Sequence, residues 1–307
     1  MPLVLFILVT ISFFMVRLAP GGPFAMEKGV SPEIRKNMER KYHLDEPIHV
    51  QFGYYLRDLW PVSITRAEGV RWVGVDLGHS FKFKDRTVNE IIAHHLPDSA
   101  KLGGISLALA LVLGVTAGTI AAVKQNSIFD YASMTIAMMG VAIPTFVSGL
   151  VLMIVFAMWL GWFDVAGSDW PWDYVLPSVT LALPFAARIA RLMRAGMLEI
   201  INQDYIKTAR AKGLTEQVVV LRHAMKGALL PVVSYLGPAT AVLLTGTLVV
   251  EKLFTIPGIG QEFVNSAVNR DYTTVLGLVL LFGTVLVVFN LIVDVAYGFL
   301  DPRIRYD

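Results

Sequence analysis

Apolar residues in this chain come in long unbroken blocks, with little of the alternation or one-sided striping of a water-soluble fold. Between Lys101 and Lys124 run 22 residues without a charge; between Asp130 and Asp164, 33; between Lys226 and Glu251, 24; between Asp271 and Asp294, 22. A helix needs about 20 apolar residues to cross a hydrocarbon core. Backbone groups left unpaired in lipid are costly, so such blocks predict spanning helices. Pro2 to Val16 is also charge-free, has no basic stretch before it and no convincing cleavage site near Leu18-Ala19-Pro20, and reads as a retained first span. The segment from Tyr174 to about Met193 reads as a further span, with Arg188, Arg191 and Arg194 snorkelling from its end towards head groups. The expectation is an all-α polytopic membrane protein with six spans, about 2–18, 101–123, 131–159, 174–193, 228–250 and 273–298, forming one transmembrane domain over 1–307. Pro144, Pro177, Pro184, Pro231 and Pro238 lie in or beside spans, where neighbouring helices tolerate them and kinks are expected.

Orientation follows from the short loops, because Lys and Arg near span ends stay in the cytoplasm. Residues 160–173 hold three aspartates, no Lys or Arg, and Trp162, Trp170 and Trp172, which suits an outer aromatic belt. Residues 188–228 hold eight Lys or Arg against Glu199, Asp204 and Glu216, and are expected inside, as are both termini. Residues 19–100 then lie outside; they are too long for the charge rule to govern, and their cations are nearly balanced by carboxylates. Within them, Ser31-Pro32-Glu33 reads as a helix start with an apolar stripe at Ile34, Met38 and Tyr42. Thr87-Val88-Asn89-Glu90 reads as a capping box.

The inner segment 188–228 invites a second reading. Asp204 can cap a short helix that Gly213 ends, and Thr215 can cap another running to about Lys226. The result is a helical knob beneath the membrane; the same pattern also fits a solvated basic connector. Composition narrows the chemistry further. The chain is 55% hydrophobic and 16% charged, with no cysteine and a formal charge of +2. That composition points away from soluble enzymes, disulfide scaffolds and thiolate metal sites, and gives no sign of a nucleic-acid partner. No Gly-x-x-x-x-Gly-Lys-[Ser/Thr] loop, His-Glu-x-x-His pair or Gly-x-Ser-x-Gly elbow occurs, so no catalytic residue, cofactor or metal ligand is assigned.

Tyr205-Ile206-Lys207-Thr208-Ala209-Arg210-Ala211-Lys212-Gly213-Leu214, Leu221-Arg222-His223-Ala224 and Ala228-Leu229-Leu230-Pro231 resemble the EAA loop of ATP-binding-cassette (ABC) importer permeases. Leu18-Ala19-Pro20-Gly21, Lys41-Tyr42-His43-Leu44-Asp45, Phe254-Thr255-Ile256-Pro257-Gly258-Ile259-Gly260 and Leu300-Asp301-Pro302-Arg303-Ile304-Arg305-Tyr306 extend the likeness across the chain, to the oligopeptide and dipeptide permease family and its B-subunit type. Lys207-Thr208-Ala209 stands where the broad pattern has Glu-Ala-Ala.

The resemblance implies half of a type I importer in a bacterial cytoplasmic membrane. Its implied partners are a homologous second permease subunit, two ATPase subunits holding ATP and Mg2+, and an extracytoplasmic peptide-binding protein, with peptide as substrate and the lipid bilayer around it. Asp204, Tyr205, Ala209, Arg210, Ala211, Lys212, Gly213, Arg222 and His223 are the residues expected to couple to the ATPase, His223 by bracing the loop or the contact. Asp294, with Asn290 one turn earlier, is a candidate for gating or for a structural pair at the inner interface. Adjacent His94-His95 reads as surface, and Phe146, Phe156 and Trp159 as lipid-facing or core. Gly114-x-x-x-Gly118 allows close helix contact. Rival readings are a dipeptide or nickel-chelate permease of the same family, a secondary transporter, which needs mid-membrane ion sites, and an intramembrane hydrolase, which needs a nucleophile or metal cluster.

Overall fold

The computed structural model describes residues 2–18, 36–37, 39–40, 42–60, 62–65, 69–72, 75–83, 86–165 and 171–300. The expected helix start at Ser31-Pro32-Glu33, the motif Ala19-Pro20-Gly21 and the terminal Asp301–Tyr306 lie outside them. In chain order the elements are α1 (Pro2–Leu18), α2 (Ile48–Asp58), a hairpin of β1 (Val62–Thr65) and β2 (Gly69–Trp72), α3 (Val88–Val123), α4 (Ile128–Ala142) and α5 (Thr145–Leu152). A π-helical turn, Met153–Trp159, extends α5. Then come α6 (Val175–Ile201), α7 (Asp204–Ala211), α8 (Glu216–Val218), a π-helical stretch Val219–Ala224 that runs into α9 (Met225–Ala228), α10 (Leu230–Leu244), α11 (Leu248–Leu253), α12 (Ile259–Val268) and α13 (Tyr272–Leu300). The hairpin is antiparallel, with Val62 opposite Trp72 and Thr65 opposite Gly69.

Among the described residues, four helical stretches are long and apolar enough to cross a membrane alone: Val88–Val123, Trp172–Ile201, Leu230–Leu253 and Tyr272–Gly298. The block expected as one span over 131–159 is broken at Ile143-Pro144, and its two arms are bent by 107°. Pro144 supplies no N–H and biases Ile143 to the extended conformation it adopts (ψ 124°), which ends α4. The first helix, 17 residues, falls a turn short. Six crossings therefore require both the bent pair and α1 to be counted.

The capping box forms as its spacing predicts: Thr87 Oγ1 accepts from the Glu90 N–H at 3.2 Å and the Thr87 N–H donates to Glu90 Oε2 at 3.0 Å. The helix it opens continues through Pro97 without a break into the second span, so one 36-residue helix replaces the short helix and separate span of the sequence reading. Likewise α6 runs past 193 to Ile201, because its buried face persists beyond the arginines through Met193, Gly196 and Met197.

Two compact units divide the chain: residues 1–96 with 262–284, and 97–261 with 285–307. In the first, fully buried Phe13 stacks on Tyr55 at 5.5 Å and meets Phe52 at 5.2 Å; burial pushes the Tyr55 phenol up to about 12. Asp271, buried just before α13, accepts from the Phe81 N–H at 3.0 Å, from Thr274 Oγ1 at 2.8 Å and from the Ser80 hydroxyl. It thereby holds residues 80–81 to the start of that helix.

The second unit is built around α6, whose buried residues Ala182, Ala186, Ile189, Met193 and Met197 share a core with Ala110, Ala122, Ala224 and Val232. A Cβ on Gly114 would meet the Ile189 Cβ, and one on Gly118 the Met193 Cβ, each at 2.7 Å. The expected close contact is thus the seat of α3 on α6. Gly118→Leu is expected to destabilise the fold by about 1–3 kcal/mol through overpacking. Thermal melting of the detergent-solubilised protein checks this; an unchanged midpoint would place the seat elsewhere.

Candidate functional site

The knob forms as two short helical segments closed on each other. Helix α7 begins at Asp204, but Gln203 and not the expected Asp204 holds the N-cap position, with no side-chain cap bond; Asp204 instead accepts from Lys207 Nζ at 2.9 Å. This exposed pair holds the Asp204 carboxyl below its usual range. The helix ends at Gly213, whose φ of +79° supplies the left-handed turn while its N–H donates to the Arg210 carbonyl at 2.9 Å. Thr215 takes the extended N-cap conformation, and its carbonyl accepts from the Val219 N–H. Arg210 clips the segments together by donating to both carboxylate oxygens of Glu216, at 2.6 and 3.1 Å. That fork holds the Glu216 carboxyl below its ordinary 4.5 and the Arg210 guanidinium above its ordinary value. The folded carboxyl is the more acidic, so the clip's contribution is full above the ordinary glutamate range and is lost as pH falls through the lowered value.

Which side of the knob faces inward decides what the sequence-predicted residues can do. Ile206 and Ala209 are buried with Val219, Val220, Ala224 and Met197 in the core of the second unit. Ala209, expected as a contact for a partner, is therefore an anchor. At that position the core demands a small side chain. Tyr205, Thr208 and Lys212 are exposed at helical spacing on one face of the segment, and Ala211, Leu214, Leu221 and Arg222 are exposed too. Arg210 is occupied by Glu216. His223 is half-buried in the π-helical stretch. A Cβ on Gly196 would meet the Ala228 backbone, so α6 and the base of the knob touch directly. Asp294 is exposed on α13; Asn290, one turn earlier, packs against α10, where its Cα lies 3.4 Å from a Cβ built on Gly237.

Three polar features of this unit were missed or differently placed by sequence spacing. Asp130, buried in the first turn of α4, accepts from Arg194 Nε at 2.7 Å and Nη2 at 2.8 Å, and from the Asn126 N–H at 3.0 Å. Arg194 is thus the partner of an acid on another helix, where snorkelling had been expected. Glu251 is fully buried. Its carboxylate takes the Ser99 hydroxyl at 2.7 Å and the Gln261 N–H at 2.9 Å. Ser99 accepts in turn from the Ile259 N–H at 2.8 Å. Side chains on Gly246, Gly258 or Gly260 would run into that carboxylate, which gives the Phe254–Gly260 motif its physical meaning: the glycines admit an acid that fixes the loop. Its signal in the sequence was Glu251 closing an apolar block ahead of two closely spaced glycines.

Third, Arg188 and Arg191 are exposed partway along α6, about 20 and 24 Å from Val175. The Arg188 guanidinium carbon lies 5.5 Å from the Tyr235 ring centroid. A charge inside a hydrocarbon core is costly, which favours water or protein over lipid tails on this face of α6.

A polytopic helical bundle with an anchored knob on one loop is the architecture of a type I ABC importer transmembrane domain. Two solved structures share the fold. One is an amino acid ABC transporter with histidines (TM-score 0.53, 15% identity, 68% of this chain and 93% of that one). The other is the MetNI methionine ABC transporter in an inward-facing conformation (TM-score 0.50, 18% identity, 67% and 96%). Residues 114–306 match the family described as binding-protein-dependent transport system inner membrane component. The oligopeptide transport system permease protein OppB of Haemophilus influenzae is 47% identical over 98% of this chain and 95% of its own length. The protein of that name from Escherichia coli K12 is 49% identical over 98% and 95%, and the dipeptide transport system permease protein DppB of Bacillus subtilis 38% identical over 97% and 93%. The chain belongs to the oligopeptide/dipeptide permease family of these inner-membrane components, and is a permease subunit of a bacterial ABC importer that works with other subunits.

Asp130 is buried and Arg194 about a quarter exposed (side-chain exposures 3% and 27%), so Arg194→Gln, which strands the buried carboxylate, is expected to cost about 3–5 kcal/mol and Asp130→Asn less. The double variant is expected to cost clearly less than their sum. Thermal melting across the four proteins checks this; strict additivity would show the two side chains to be energetically independent.

Proposed function

We propose that this chain is half of the path by which an ATP-driven importer carries peptides inward, oligopeptides in preference to dipeptides or nickel chelates. A homologous second permease subunit completes the path, and an extracytoplasmic binding protein delivers the peptide. Two ATPase subunits hold ATP and Mg2+ and do the hydrolysis, so this chain is itself non-catalytic and needs no cofactor. Both termini lie in the cytoplasm. The cargo is supported by the names of the relatives, with the oligopeptide permeases nearer in identity than the dipeptide permease.

The observation that carries the coupling role is the division of α7 into an anchored side, Ile206 and Ala209, and an exposed side, Tyr205, Thr208 and Lys212, on a segment stiffened by Arg210–Glu216. A stiff protrusion seated directly on α6 transmits a push from a docked ATPase as a rigid-body shift. Arg222 is exposed in the following π-helical stretch, beside His223, and Asp294 is read as a structural group. A secondary transporter reading has no mid-membrane carboxylate site in its support among the described residues, since Asp130 and Glu251 are both fully engaged.

Ala211→Trp, on the exposed side, is expected to leave membrane abundance unchanged while lowering ATP-dependent peptide uptake at least about tenfold, the scale of a disrupted interface hot spot. Ala209→Glu is expected instead to lower abundance, because it puts an unpaired charge in the core. Uptake in proteoliposomes and quantitative membrane immunoblots separate the two; normal uptake by Ala211→Trp would refute the docking role.

A further inference from the structure

Along α6 and α10 lie two adjoining cavities, of about 400 Å³ and about 590 Å³, that share Arg188, Tyr235 and Pro238. Arg191 and Leu192 line the larger one. No described carboxylate lies within ion-pair distance of Arg188 or Arg191. This contrasts with Arg194, one turn further on, which is fully claimed by Asp130. The Arg188 guanidinium lies over the Tyr235 ring, a cation–π contact that biases its orientation. At about 20 and 24 Å along the helix, both cations sit within a hydrocarbon core about 30 Å thick if α6 enters at Val175. Lipid tails offer them no acceptor.

We propose that Arg188 and Arg191, with Tyr235 as orienting residue, form a transient site for the C-terminal carboxylate of the peptide in transit. This rests on reading the chain as a peptide importer. A guanidinium fork matches a carboxylate in two parallel hydrogen bonds. The carboxylate is the anionic group that peptides of any sequence have in common, so such a site is compatible with cargo of varied side chains. The two arginines are offset by about 4.5 Å along the helix axis, so a carboxylate can pass from one to the next. Their exposure keeps the grip weak enough for release, as conduction requires.

The test uses the whole transporter, with its binding protein and ATPases, in proteoliposomes. The probes are trialanine and its C-terminal amide, each compared with wild type so that any preference of the binding protein cancels. In the Arg188→Gln/Arg191→Gln double variant, uptake of trialanine is expected to fall about tenfold, the loss of a charge-assisted hydrogen bond, and uptake of the amide far less. Arg188→Lys/Arg191→Lys, which keeps the charge and loses the fork, is expected to lie between.

A second measurement needs no transport. The chain has no cysteine, so Leu192→Cys can be labelled alone and read by mass. An anionic thiol reagent is expected to react several-fold faster than a cationic one when both arginines are present, and at a similar rate when both are Gln. Equal losses for the two peptides, no loss for either, or a labelling ratio indifferent to the arginines would each overturn the site while leaving the importer reading intact. A Leu192→Cys that no reagent reaches in the assembled transporter would overturn it equally. Wild type that imports neither peptide with ATP would remove the importer reading and this proposal with it.

Discussion

A helix that crosses a bilayer must dispose of every charge it carries, and in this chain that constraint falls on α6. Three arginines rise along it at 188, 191 and 194, while its opposite side is packed with Ala182, Ala186, Ile189, Met193 and Met197. Arg194 is neutralised across to α4, and Arg188 rests on an aromatic face. Such a helix cannot be peripheral in lipid. Its neighbours close in on it through glycines: α3 at Gly114 and Gly118, α4 at Gly140 near Leu183 and Ala187, and the base of the knob at Gly196. The hydrophobic contacts of the second unit follow from where those charges are allowed to be.

Features encoded by local periodicity were legible in the sequence. The apolar blocks, the capping box at Thr87 and Glu90, the glycine contact of α3 and the two segments of the knob all appear where short-range spacing places them. Features that depend on distant partners were not. Glu251 looked like the end of an apolar block because Ser99, which holds it, lies 152 positions away. Arg194 looked like the end of a span because its partner on α4 was invisible. The sharp bend at Pro144 was hidden inside a block that is uniformly apolar, where a proline normally signals only a kink.

The knob shows the same division within a few residues. Spacing offered a helix from Asp204 to Gly213 or a solvated connector, and did not say which side of such a helix is seated. The structure seats Ala209 and exposes Thr208, neighbours in sequence with opposite roles. Arg210, basic and exposed, looked like a contact for a partner and is instead tied to Glu216. Residue type was a poor guide where intramolecular pairing competes with partner contact.

The close approach of Gly196 to Ala228 has a mechanical corollary. With no side chain between them to compress, the base of the protrusion and α6 behave as a crank and its shaft. At 27 residues the shaft is about 40 Å long. Each degree of tilt applied at the knob end therefore swings the opposite end of the helix through about 0.7 Å, so a small angular change at the protrusion becomes a larger displacement at the far end of the shaft.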